Sequence, residues 1–185
     1  MTEFFTRRDL MRASLMGGAA LFCAPPLSAR PKGKTVLVYF GTYTNTPAAS
    51  KGIYLYDLDL TTGALTDTGL TAMTPNPSFL AIAPNRKHLY AVNEIEDYGG
   101  KMSGSVTGFS INSKTGGLTL LNTQASMGTD PCHIRIDAEG RNALVANYSS
   151  GSDAVLPIEA DGTRAVSYQP HKRQDRQQRE LHGKG

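Results

Sequence analysis

Apolar and polar positions between residues 51 and 158 alternate in short runs, with turn residues between them. Ile53, Leu55 and Asp57 alternate with Tyr54, Tyr56 and Leu58, a period of two in a segment rich in β-formers. Thr61-Thr62-Gly63 closes that run with turn chemistry. The spacing then predicts a second strand over Leu65–Thr71. A third follows over Ser78–Ala83, behind the rigid approach Thr74-Pro75-Asn76-Pro77. Past the turn at Pro84-Asn85-Arg86, His88–Asn93 reads as a fourth strand, its centre wholly apolar and therefore buried. Beyond residue 29 no stretch shows the three-to-four-residue period of an amphipathic helix.

The same order then returns. Strands are expected over Val106–Ile111, Leu118–Thr123, His133–Ile136 and Ala143–Asn147, with turns at Lys114-Thr115-Gly116-Gly117 and Ala138-Glu139-Gly140. Thr62-Gly63 aligns with Thr115-Gly116, Asn76-Pro77 with Asp130-Pro131, and Asn93 with Asn147. The repeats are placed at 51–94, 104–148 and 151–170, an offset of about 53 residues. Four short antiparallel strands per unit of that length predict an all-β fold, a β-propeller of four-stranded blades. About three blades fit into 30–170, an incomplete ring, since propellers close with typically four to eight. A β-sandwich would not need its turn chemistry to recur in register.

The two ends differ from this pattern. Residues 1–29 read as an export signal. Thr6-Arg7-Arg8-Asp9-Leu10-Met11 is a twin-arginine pattern, Ala13–Ala24 is an apolar core too short to span a bilayer, and Leu27-Ser28-Ala29 offers a cleavage point. The expected destination is the periplasm or the exterior, with no stable membrane span after the signal is removed. Loss of Cys23 with the signal would leave Cys132 without an intramolecular partner, read as a small buried hydrophobe. Residues 171–185 are polar and basic, with Leu181 their one aliphatic side chain, and read as a disordered or aberrant, frame-shifted tail.

Of the net charge of +3, one unit falls on 1–29 and three on 171–185, leaving −1 on 30–170. That segment carries no basic stripe, which argues against nucleic acid as a partner. An open ring would expose blade edges, and these offer a route to self-association.

Several strings together resemble one family: Phe40-Gly41-Thr42-Tyr43-Thr44-Asn45, Lys51-Gly52-Ile53-Tyr54, Asn76-Pro77-Ser78-Phe79-Leu80-Ala81, Leu89-Tyr90-Ala91-Val92-Asn93-Glu94, Asp130-Pro131-Cys132-His133 and Val145-Ala146-Asn147-Tyr148 with Gly151. The chain resembles the lactonase family of seven-bladed propellers, of 6-phosphogluconolactonase type, over nearly all of 36–158. The resemblance implies a protein about twice this length that opens a sugar or sugar-phosphate lactone to its acid. It implies no metal, with the pocket at one mouth of the central channel. The His, Arg and Glu usually proposed to act in this fold match no position here, so none is assigned as catalytic and the fragment is expected to be inactive alone. A non-catalytic periplasmic binding or scaffold fragment is the alternative.

Candidate pocket residues are sparse. Asn93-Glu94 and Asn147-Tyr148 end equivalent strands, and His133 stands where the preceding repeat has Phe79. Lactone hydrolysis needs a base and donors for the tetrahedral oxyanion, and these are the side chains on offer. The bland readings are a solvated loop carboxylate for Glu94, a hydrogen-bonded structural His133, turn caps for Asn93 and Asn147, and packing for Tyr148. The sequence has no serine-centred elbow, metal-ligand cluster or phosphate-cradling glycine loop, so no cofactor is expected.

Overall fold

A computed structural model describes residues 34–45, 50–163 and 171–172. Residues 1–29, expected on sequence to be an export signal, lie outside the described residues with Cys23, as do the segment beyond Lys172 and the 164–170 end of the third repeat. Among the described residues every regular element is a strand.

The strands form three antiparallel sheets. The first orders β1 (Thr35–Phe40), β2 (Gly52–Asp59) and β3 (Leu65–Met73). The second orders β4 (Phe79–Ile82), β5 (His88–Asn93), β6 (Ser105–Ile111) and β7 (Leu118–Ala125). The third orders β8 (Pro131–Ile136), β9 (Asn142–Asn147), β10 (Ser152–Pro157) and β11 (His171–Lys172). Each is a meander, so each strand pairs with its sequence neighbour. β1 stands where β5 and β9 stand in the other sheets. Among the described residues, the first sheet therefore has no equivalent of β4 and β8.

The sequence repeat and the sheet are half a unit out of phase. Repeat 51–94 holds β2 and β3 of one sheet with β4 and β5 of the next. A periodicity fixes a spacing but not which connection crosses between sheets. The crossing is the segment 74–78, where Pro75 and Pro77 cannot continue a ladder. β1 lies ahead of the recognised repeats. His171 and Lys172, assigned on sequence to the tail, pair with Asp153 and Ser152.

β5 explains its own unbroken apolar run. Leu89 and Ala91 pack with Ile53 and Phe109 between the first and second sheets. Tyr90 and Val92 point the other way and pack with Val106, Ile134, Ile136, Ala143, Val145, Ala154 and Leu156 between the second and third. Both faces are buried, so alternation disappears from the sequence. Each such aliphatic side chain contributes about 1.5–3 kcal/mol on burial. Two buried or half-buried tyrosines fasten the sheets through their hydroxyls: Tyr39 donates to the Gly116 carbonyl at 2.6 Å and Tyr90 to that of Gly162 at 3.0 Å.

The turns repeat down to single atoms. Asp59 Oδ1 accepts from the N–H groups of Thr61 and Thr62, and Asn112 Oδ1 accepts from those of Lys114 and Thr115. Gly63 and Gly116 then take the same φ of 73°.

Candidate functional site

Strand register collects the sequence candidates at one end of the sheets. Phe79 at the start of β4 pairs with Val92 near the end of β5, and Pro131 at the start of β8 pairs with Asn147 at the end of β9. Glu94 and Tyr148 follow directly. The end of β1 reaches the same level, because Phe40 pairs with Tyr54 near the start of β2.

Asn76 organises this end. Its φ of 39° is left-handed, a conformation that Asn tolerates better than most residues. The side chain is buried; Oδ1 accepts from the Thr44 N–H at 2.8 Å and from its hydroxyl at 3.1 Å, and Nδ2 donates to the Glu94 carbonyl at 2.9 Å. The Asn76 carbonyl in turn accepts from the Glu94 N–H at 3.0 Å. Asp130, at φ 53°, repeats part of this arrangement, its carbonyl accepting from the Tyr148 N–H at 2.8 Å. The recurring Asn-Pro and Asp-Pro pairs are thus bends that set Glu94 and Tyr148 in equivalent places.

Tyr43 donates its hydroxyl to Glu94 Oε2 at 2.9 Å. That bond, followed by partial desolvation and the carboxylate's charge, raises the tyrosine pKa above its ordinary 10.0. The Ser78 hydroxyl pulls in the opposite direction. Ser78 Oγ is buried and makes no hydrogen bond of good geometry, so its influence on Tyr43 reflects proximity rather than a formed bond. Cys132 lies on the neighbouring sheet, near the start of β8. The cysteine is half-buried rather than fully buried, its thiol 3.8 Å from the Ala146 carbonyl.

Ser78 and Cys132 immediately precede Phe79 and His133. Those two rings touch, with centroids 4.5 Å apart and planes inclined at 52°. Both are exposed, Phe79 at 40%. Tyr148 is 77% exposed.

Asn93 and Asn147 point inward instead. Asn93 is fully buried; Nδ2 donates to Thr74 Oγ1 and to the Pro75 carbonyl, both at 2.6 Å, while Oδ1 accepts from Ser105 at 3.1 Å and Thr107 at 2.6 Å. Asn147 Nδ2 donates to the Ser126 carbonyl at 3.1 Å and to Ser152 Oγ at 3.3 Å, and its Oδ1 is buried without a hydrogen-bond partner. Both tie strand ends together. The structure therefore brings Glu94, His133 and Tyr148 to one exposed end and sets the two asparagines beneath it. Tyr43, Asn76 and Phe79 were not singled out as site residues on sequence. Their contacts join segments too distant in the chain for spacing to reveal.

Two cavities among the described residues lie elsewhere. One of about 420 Å³ is lined by Phe40, Thr42, Ser50, Tyr54, Tyr56 and Leu65. Another of about 840 Å³ lies toward the other end, against Leu37, Tyr39, Ile82, Arg86, Asn112 and Gly116. Neither contains Glu94 or His133.

Three antiparallel meanders, packed face to face without closing, define part of a β-propeller. Residues 37–182 match the model of the lactonase family of seven-bladed β-propellers, and the chain belongs to that family. The match runs well into the segment set apart on sequence as a tail. A 6-phosphogluconolactonase of Bacillus subtilis (strain 168) is 34% identical over 146 residues, covering 75% of this chain and 40% of that protein. One of Formosa agariphila is 30% identical over 125 residues, covering 68% and 34%. Among solved structures, the periplasmic gluconolactonase of Pseudomonas aeruginosa superposes with a TM-score of 0.64 at 34% identity, covering 74% of this chain and 39% of that one. The chain thus spans about two fifths or less of these relatives.

Proposed function

We propose that this chain is the first part of a sugar lactonase, and that Glu94, His133 and Tyr148 contribute to the mouth where the lactone binds. The observation that carries this reading is the family match over 37–182, together with the relatives named for gluconolactone chemistry. In the reaction, water adds to the lactone carbonyl, the tetrahedral oxyanion collapses, and the ring C–O bond breaks. The ring oxygen takes a proton and leaves as the hydroxyl of the open acid. The side chains at this end are suited to binding and orientation: Glu94 offers a carboxylate, Tyr43 a hydroxyl and His133 an imidazole. The groups that drive carbonyl addition are assigned to the remaining blades, so the chain alone should be inactive.

We also infer that residues 1–29 direct export. The twin-arginine string supports this, as does similarity to a periplasmic gluconolactonase. An exported enzyme would meet unphosphorylated as well as phosphorylated lactones, so both belong in the assay. The test is base uptake at constant pH with glucono-1,5-lactone and with 6-phosphogluconolactone, comparing residues 30–185 with the longer, seven-bladed full-length protein proposed here. Hydrolysis above the spontaneous rate by the full-length protein alone is expected. No acceleration of either lactone would overturn the lactonase reading; turnover by residues 30–185 would overturn the assignment of chemistry to other blades.

A further inference from the structure

We propose that Phe79 and His133 form a stacking floor for the hydroxylated ring of the lactone, and that the Tyr43–Glu94 pair beside it takes the ring hydroxyls. This deepens the lactonase reading and rests on it for the identity of the ligand. Four observations converge. Phe79 and His133 lie on β4 and β8, the first strands of adjacent sheets, and their rings meet at 4.5 Å while staying exposed. An exposed aromatic pair that spans two sheets contributes little to either apolar cluster, and neither residue belongs to one. Ring faces of this kind receive the C–H face of a sugar ring, as binding sites commonly combine aromatic surface with a few placed polar groups.

The second pair supplies those groups. Tyr43 and Glu94 are joined at 2.9 Å, and Asn76 fixes the backbone of Glu94 and of Thr44, next to Tyr43. The Tyr43 proton is committed to Oε2, which leaves Oε1 of the carboxylate and the lone pairs of the phenol as acceptors. Acceptors aligned beside a ring face match the outward O–H groups of a polyol. The two pairs are contiguous through the backbone: Asn76, which holds Thr44 and Glu94, lies three residues before Phe79, and Phe79 pairs with Val92, two residues before Glu94. The division of labour follows. This end of the chain reads the hydroxylated ring, and bond breaking is placed elsewhere.

The test uses the full-length protein and two stable lactams by calorimetry. One is the lactam of gluconic acid, which keeps the hydroxyls; the other is δ-valerolactam, which lacks them. Phe79→Ala should weaken both about ten-fold. Tyr43→Phe and Glu94→Gln should weaken the gluconolactam about ten-fold and leave δ-valerolactam unchanged. Thermal melts provide the folding control, since all three side chains are at least partly exposed and should tolerate truncation. Turnover separates the two readings. Absent lactone hydrolysis with this binding pattern intact removes the lactonase reading and leaves the polyol subsite standing. Intact hydrolysis with KM unchanged in all three variants overturns the subsite alone, and so does equal loss of both lactams in Tyr43→Phe.

Discussion

Asn76 and Glu94 are held together by two backbone-directed hydrogen bonds, the Asn76 carbonyl accepting at 3.0 Å and its side-chain amide donating at 2.9 Å. Through that clasp a bend between two sheets fixes a carboxylate that starts a loop. Asn76→Ala removes the side-chain bonds to Thr44 and to the Glu94 carbonyl, keeps the main-chain bond to the Glu94 N–H, and leaves a β-carbon residue at φ 39°. The expected cost is about 2–4 kcal/mol in urea unfolding. Asn76→Gly relieves the backbone but not the lost bonds, so it should fall between Ala and wild type.

Asn93 and His133 should respond in opposite ways. Asn93→Ala removes four side-chain hydrogen bonds at a fully buried position, to the Pro75 carbonyl and the Thr74, Ser105 and Thr107 hydroxyls, and should destabilise the protein by about 2–4 kcal/mol. His133→Ala opens an exposed surface position and should cost under about 0.5 kcal/mol. If His133 contributes to the mouth, its loss shows in KM for the lactone while the melting curve stays in place.

Gly63 and Gly116 provide a controlled pair. Both adopt φ 73° in the same turn, but a Cβ on Gly63 meets open space, whereas one on Gly116 meets Leu37 Cδ1 at 2.6 Å and Leu55 Cδ2 at 2.9 Å. Gly63→Ala should cost only the left-handed backbone term, about 1–2 kcal/mol. Gly116→Ala adds overpacking between the first and second sheets, a further 1–3 kcal/mol or so. Equal losses would mean that the Gly116 turn does not pack on the first sheet.

Most of the fold was legible because two signals agreed. Alternation located the strands, and repeated turn chemistry at Thr62-Gly63 and Thr115-Gly116 fixed their period. The sheet boundary was not legible, since the segment 74–78 reads as one more turn until its prolines are seen to end pairing. Asn93 and Asn147 look polar and terminal in sequence, and only their burial shows that they serve the scaffold. The Tyr43–Glu94 contact joins residues 51 positions apart and leaves no local pattern.

Acid should weaken the fold through its turns. The carboxylates of Asp59, Asp137 and Asp161 sit below their ordinary 3.8: Asp59 accepts the Thr61 and Thr62 N–H groups, Asp137 the Asn142 side chain, and Asp161 Thr163. A depressed carboxylate stabilises the folded state in full above its unfolded pKa, and that contribution fades as pH falls through the folded value. Unfolding midpoints should therefore decline below about pH 4. Asp137→Asn should flatten that decline. Tyr43 has the reverse sign: its raised pKa means that its contribution is complete below pH 10 and disappears as alkali ionises the phenol.

A crystal structure of the protein with the gluconic lactam bound tests the central claim most directly. The expected result is the ring lying over Phe79 and His133, with its hydroxyls within 3.2 Å or so of Glu94 and Tyr43. A lactam seated elsewhere, with these four side chains buried against protein or facing bulk solvent, would contradict it.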